Sequence, residues 1–219
     1  MVMKKLKNFD RNLFDLVSEA HKWEYTEIND NRESSVAKKP KCYFTMGQWI
    51  LLTLSVLIVV LSPNGISADF AGYIISGLSL FVGLLFTIVV SLFDKFKNID
   101  FSKYNMNVNV DLYQTGVRLK NYFKKTIILT LYTAILAIVC ILMISITLLF
   151  EKVGTTMDFI EIGKNISMYE WHFFVLSGLL FVYRVTLFYF LLNFIYITKQ
   201  LVTSFFDYMI SEIDNVKLK

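Results

Sequence analysis

Cysteine and proline are scarce in this chain, two of each among 219 residues, and histidine is equally rare. Cys42 sits at the edge of a polar stretch and Cys140 inside a long apolar run, so no disulfide framework within the chain is expected. The linker 29–40 is polar, and Pro40 closes it ahead of the first apolar run. His21 and His172 fall on opposite sides of the apolar runs and cannot share a metal. There is no glycine-rich phosphate loop, no serine nucleophile elbow and no carboxylate pair inside an apolar run. The sequence therefore offers no catalytic, cofactor-binding or metal-binding residues, and an enzyme is not expected. Coupled transport is disfavoured for a related reason, because intramembrane Asp or Glu, or broken helices, usually hold the coupling ion.

Charged residues make up 18% of the chain, and four long stretches hold almost none of them. These stretches run from Tyr43 to Leu61, Phe70 to Phe93, Thr126 to Phe150 and Phe173 to Ile197. Each is near or above the roughly 20 residues that a helix needs to cross about 30 Å of hydrocarbon. A hydrophobic content of 55% and a mean hydropathy of +0.53 agree, since soluble domains hold about 45–50% apolar residues. The fold class expected is an all-α integral membrane protein with four transmembrane helices. Lysine and arginine number nine before the first run, none in 62–69, seven in 94–125, two in 151–172 and three after Ile197. By the positive-inside rule, both termini and the central connection face the cytoplasm. The first 42 residues are polar and lack the short apolar core of a cleavable signal, so the first span serves as the insertion signal. The use of Lys, Asn, Ile and Phe has a bacterial character, which sets the expected location as a bacterial inner membrane. The sequon Asn165-Ile166-Ser167 then has no role.

The expected organisation is a cytoplasmic arm and linker (1–42), a first hairpin (43–93), a cytoplasmic connection (94–125), a second hairpin (126–197) with an external loop (151–172), and a cytoplasmic helical tail (198–219). The arm reads as an amphipathic helix with Leu6, Phe9, Leu13, Leu16, Val17 and Ala20 on one face. Its polar face carries both signs of charge, which suits docking on protein better than lying on lipid. In the central connection Met106, Val108, Val110 and Leu112 alternate with polar residues. That pattern reads either as a short strand or as a loop leading into a helix near Leu112. In the tail Leu201, Phe205, Met209 and Ile213 recur at four-residue spacing, which continues the fourth helix. Arm and tail supply the candidate partner-binding face: Leu6, Phe9, Leu13, Leu16, Val17, Phe205, Met209 and Ile213. A weak internal duplication, in which Ser76-Gly77-Leu78 matches Ser177-Gly178-Leu179, would relate the two hairpins.

Arg184 is the one ionisable residue deep within an apolar run. It reads either as part of a hydrated, anion-attracting site or as a cation satisfied inside the bundle. Small residues mark two candidate helix-packing faces, Gly72, Ser76, Ser79, Gly83 and Thr87 on the second span and Thr126, Thr130, Thr133, Ala137 and Cys140 on the third. Both should be hidden from lipid, by packing or by lining a polar path. The basic residues flanking the spans are explained by orientation, and their density does not suit direct nucleic-acid binding.

Length, four spans, cytoplasmic termini and the lack of a catalytic motif together resemble the Kiwa-type membrane subunits of bacterial anti-phage loci. Next in similarity are the four-span accessory proteins of type VI-B CRISPR loci. The resemblance covers the layout and carries over no functional residue. It implies a homo-oligomer in the lipid bilayer that senses events at the membrane and holds a cytosolic protein partner. Three functions follow as expectations: a scaffold or sensor subunit, an oligomeric pore or membrane-disrupting effector, and an immunity protein against a pore-forming toxin.

Overall fold

The structure, a computed structural model, describes residues 12–21, 46–62, 65–104, 110–149 and 171–214. Regular structure among them is entirely helical: α1 (12–21), α2 (Met46–Leu61), α3 (Ala68–Lys97), a 3-10 turn (Phe101–Lys103), α4 (Val110–Leu149) and α5 (Trp171–Asp214). Three of these, α3, α4 and α5, are long and apolar enough to cross a membrane. Helix α2 is apolar, with 16 described residues, a rise of about 24 Å; residues 43–45 of the run read from the sequence lie outside the described residues.

Two sequence expectations on local structure separate here. Val110 and Leu112 open α4 rather than forming a strand, while Met106 and Val108 lie outside the described residues. A single short strand has no ladder to satisfy its backbone groups, whereas a helix satisfies them internally. The fourth helix does continue past Ile197, as far as Asp214.

Helix starts and stops follow local chemistry. The Gly65 N–H donates to the Ser62 carbonyl (3.0 Å) and closes a turn after α2. Ser67 Oγ then accepts from the Phe70 N–H (3.4 Å), capping α3, whose first turn also carries Asp69. Lys95 and Lys97 sit in the last turn of α3, where the helix dipole favours cations. Beyond it, the Asp100 carboxylate accepts from the Ser102 N–H (3.1 Å) and Oγ (2.6 Å), which starts the 3-10 turn.

The outer surface of the helices is apolar, unlike that of helices in water. On α2 the residues turned inward are Gln48, Ser55 and Val59, while Trp49, Ile50, Leu57 and Val60 face out. Buried positions elsewhere include Thr126, Thr130, Thr133, Asn193 and Arg184, against an outer surface of Leu, Val, Ile and Phe. In water this partition would leave a large apolar surface exposed.

Seven-residue spacing runs through the buried faces. On α3 it is Ala71, Leu78, Leu85 and Leu92; on α5, Leu180, Leu187, Phe194 and Leu201. On α4 two interleaved series appear: Thr126, Thr133, Cys140 and Thr130, Ala137, Ile144. This is the repeat of helices that pack at shallow angles.

The chain divides into two compact units. One comprises Cys42–Val82 and Ile135–Ile197. Its core joins Ala71, Ile144 and Leu187, with Ile66, Ile74, Met143 and Leu191 packed against them, and Phe81 meets Phe194 edge-on at 5.9 Å. The other comprises Met1–Lys41, Gly83–Ala134 and Thr198–Lys219. Its core is aromatic: Leu92, Tyr122 and Phe123, with Phe96, Phe205 and Tyr208 against them. Tyr122 stacks on Tyr208 at 4.4 Å, and Lys95 Nζ lies 4.8 Å from the centre of the Tyr208 ring. Gly116 is required in this unit because a Cβ there would come within 2.6 Å of Tyr104 Cβ.

Candidate functional site

Arg184 is 7% exposed, and its guanidinium lies over Gly65, in the connection between α2 and α3. A Cβ added to Gly65 would sit 3.2 Å from Arg184 Cζ and Nη2, and the Gly65 φ of 71° is one that side-chain-bearing residues avoid. The arginine thus rests at the level where α2 ends and α3 begins, rather than midway between helix ends as its place in the 173–197 run implied. The packing seam of α5 sets this level, not the centre of its apolar run, and a long arginine stem adds reach toward the helix ends.

One residue earlier, the Tyr183 hydroxyl donates to the Met143 carbonyl and lies 3.4 Å from Thr147 Oγ1. Thr147 itself reaches the Met143 carbonyl at 3.1 Å. Tyr183 therefore ties α5 to α4 beside the Ala71–Ile144–Leu187 cluster. Arg184 and Tyr183 form a polar anchor at one end of the unit that contains them. Sequence reasoning singled out the arginine and missed the tyrosine, which an aromatic-rich apolar run conceals.

The two small-residue faces part company. On α4, Thr126, Thr130, Thr133, Ala137 and Cys140 are all buried within the chain. On α3, Gly72, Ser76, Ser79, Gly83 and Thr87 face outward, and a Cβ added to Gly72 or Gly83 would meet nothing within 4 Å. Within the chain α3 turns its Ala71–Leu78–Leu85–Leu92 seam inward, which leaves the small-residue face open to a second copy or to a polar path. Hydroxyl chemistry allows this. Ser79 bonds the Ile75 carbonyl (2.8 Å) and Thr87 the Gly83 carbonyl (3.0 Å), so neither demands a partner helix. The α4 threonines do the same, Thr126 to Tyr122, Thr130 to Thr126 and Thr133 to Leu129, at 2.7–2.8 Å. Their hydroxyl protons are used within the helix, which suits close packing better than lining a wet path.

The residues of the candidate partner-binding face differ in burial. Leu13, Leu16 and Val17 are half-buried on α1, and Ala20 is fully buried. Phe205 belongs to the aromatic core, whereas Met209 is 59% exposed. The reason is helix pitch: a four-residue step rotates about 40° past one full turn, so Leu201 is buried, Phe205 half-buried and Met209 exposed. Leu6, Phe9 and the Ile213 side chain lie outside the described residues. The exposed apolar residues of the tail are Val202, Phe206, Met209 and Ile210.

Two polar residues that the sequence did not flag are buried on α5. Among the described residues, Ser177 Oγ and Asn193 Oδ1 have no hydrogen-bond partner, and Asn193 is 3% exposed. The duplication finds no support in burial, since Ser76 is exposed where Ser177 is buried, and Leu78 is buried where Leu179 is exposed. Among the described residues no three His, Cys, Asp or Glu side chains gather as a metal site. Comparison with protein-family models, curated proteins and solved structures finds no match to this chain.

Proposed function

We propose that the chain is a multi-pass membrane scaffold or sensor that holds a cytosolic protein partner. In this reading α2, α3, α4 and α5 make four spans, both termini lie on the cytoplasmic face of a bacterial inner membrane, and several copies assemble. The apolar outer surface supports the bilayer, because hydrocarbon is the solvent in which exposed Leu, Val, Ile and Phe carry no penalty.

The observation that carries the reading is the length of α4 and α5, 40 and 44 residues. They rise about 60 and 66 Å, twice the thickness of the hydrocarbon layer. The first 16 residues of α4 carry Arg118, Lys120, Lys124 and Lys125 and cannot sit in lipid, yet Tyr122 and Phe123 are core residues there. A bare pore has no need of ordered helix with its own aromatic core beyond the bilayer. A scaffold does, and the exposed Phe206, Met209 and Ile210 offer it a contact surface. The resemblance of the layout to anti-phage membrane subunits suggests defence as the setting.

The test replaces Phe206 and Met209 with Asp in the native host. Loss of the phenotype scored in a deletion strain, with membrane insertion and protein level unchanged, is the expected outcome. Full activity in that double variant would count against the scaffold reading.

An oligomeric pore is the second reading, favoured by the outward polar stripe of α3, which a ring of copies could turn toward a shared axis. It predicts ion flux through reconstituted vesicles that falls with Ser79→Leu or Thr87→Leu. Vesicles that stay tight under every activating condition speak against it.

A further inference from the structure

Helix α1 is seated on the chain itself. It belongs to the same compact unit as the start of α4, where Glu19 Oε1 lies 3.0 Å from Lys124 Nζ. Ala20 is fully buried, Leu13, Leu16 and Val17 are half-covered, and Phe14 points away, 72% exposed. The described part of the apolar face that the sequence offers to a partner, Leu13, Leu16 and Val17, is therefore partly covered within the molecule.

The seat is weak on two physical grounds. Among the ten described residues of α1, only Ala20 is fully buried, which limits their apolar contribution. The ion pair is partly exposed, 41% at Lys124 and 29% at Glu19, so solvent and salt screen it. Segments held in this way occupy the low-stability end of a fold, where regulated contacts are found.

We propose that α1 is an autoinhibitory clip: docked through Glu19 and Lys124, it covers Leu13, Leu16 and Val17, and its release presents that face to the cytosolic partner. This inference rests on the scaffold reading. The partner it implies binds an amphipathic helix in an apolar groove, with Leu13, Leu16 and Val17 as anchors. Phe14, outward in the docked state, gives that partner a first contact.

The experiment uses the full chain in lipid nanodiscs. Hydrogen exchange over residues 12–21 reports docking, and a water-soluble carbodiimide reports the pair directly. The reagent joins the Glu19 carboxylate to the Lys124 amine as an amide, taking up the released water as a urea. Lys124→Glu is expected to raise exchange over 12–21 about fivefold and abolish the joined peptide, with α3 and α5 unchanged. Salt at 1 M should act in the same direction. The swap of Glu19→Lys with Lys124→Glu should restore slow exchange. Exchange unaltered by Lys124→Glu, or not restored by the swap, overturns the clip.

Partner binding is then measured for the same variants in native-host extracts. Lys124→Glu should increase it and the amide-joined protein should lose it. Exchange that responds while binding stays constant overturns autoinhibition and leaves the scaffold standing. No partner bound by any variant, with exchange still responding, overturns both.

Discussion

At the scale of single residues, the Arg184–Gly65 contact makes the sharpest demand. Gly65→Ala places a Cβ at 3.2 Å from the guanidinium and forces an alanine to φ near 71°. The expected loss is about 1–3 kcal/mol, read as a fall of about 2–4 °C in melting temperature per kcal/mol. In an Arg184→Ala background the steric part vanishes and only the backbone part remains, so the two substitutions should be non-additive in a double-mutant cycle. Additive losses would mean that the two residues do not touch. Tyr183→Phe removes the bond to the Met143 carbonyl and should cost about 0.6–1.7 kcal/mol, the range for interhelical hydrogen bonds in membranes. Outside the apolar runs, the Ser102 hydroxyl and N–H bound to Asp100 hold its carboxyl below the usual value of 3.8. The sign is that of a depressed carboxylate: its contribution is present above the unfolded pKa and is lost as pH falls through the lower, folded one. Because Asp100 is fully exposed, the effect is read as a chemical-shift titration below that of a denatured control, and Ser102→Ala should move it back. Arg184 was legible as an exception among apolar residues. Its depth was not, because hydropathy marks which residues enter a helix but says nothing of how far that helix slides along its neighbours.

At the scale of elements, the outcome of the two small-residue stripes shows what an apolar run hides. On α4 the small residues fall on the packed seam, and on α3 they do not. In a soluble helix the contrast between polar and apolar residues reveals the buried face. Within α3, both the packed Leu78 and Leu85 and the outward Leu80 and Leu84 are leucines, so hydropathy carries no such contrast. The seven-residue spacing of Leu180, Leu187, Phe194 and Leu201 was present in the sequence and was the better signal. This difference is testable with one kind of substitution. Thr130→Leu inserts bulk into a buried seam and should destabilise the chain by about 1–3 kcal/mol. A Cβ added at the exposed Gly83 meets nothing within 4 Å, and Gly83→Leu should leave the melting temperature of the isolated chain unchanged. If the outward stripe joins copies, as the proposed assembly requires, Gly83→Leu should instead shift the oligomer toward smaller species in sedimentation. An unaltered oligomer would place the copy-to-copy contact elsewhere. The tail gives a parallel lesson: a stripe read at four-residue spacing wanders around the helix, which is how Phe205 and Met209 came to be grouped and then separated.

At the scale of the whole molecule, the central claim is that helices longer than a bilayer requires exist to hold another protein. The sequence carried the helical class and the apolar runs, and it foresaw the continuation of α5 past Ile197. It could not reveal that Tyr122, Phe123, Tyr208 and Phe96 converge, because such contacts join distant residues, Tyr208 lying 86 positions from Tyr122 and Phe96 27 from Phe123. That convergence matters for experiment, since deleting the tail after Lys199 would remove core residues as well as any docking surface. Surface substitution at Phe206 and Met209 avoids this. The most direct measurement is native mass spectrometry of the chain purified from its own host in mild detergent, alongside the Phe206→Asp, Met209→Asp double variant. The account predicts a complex heavier than any whole number of 25.5 kDa chains, with a cytosolic protein supplying the excess and absent from the variant. A complex made of this chain and lipid alone, identical in both samples, would contradict it.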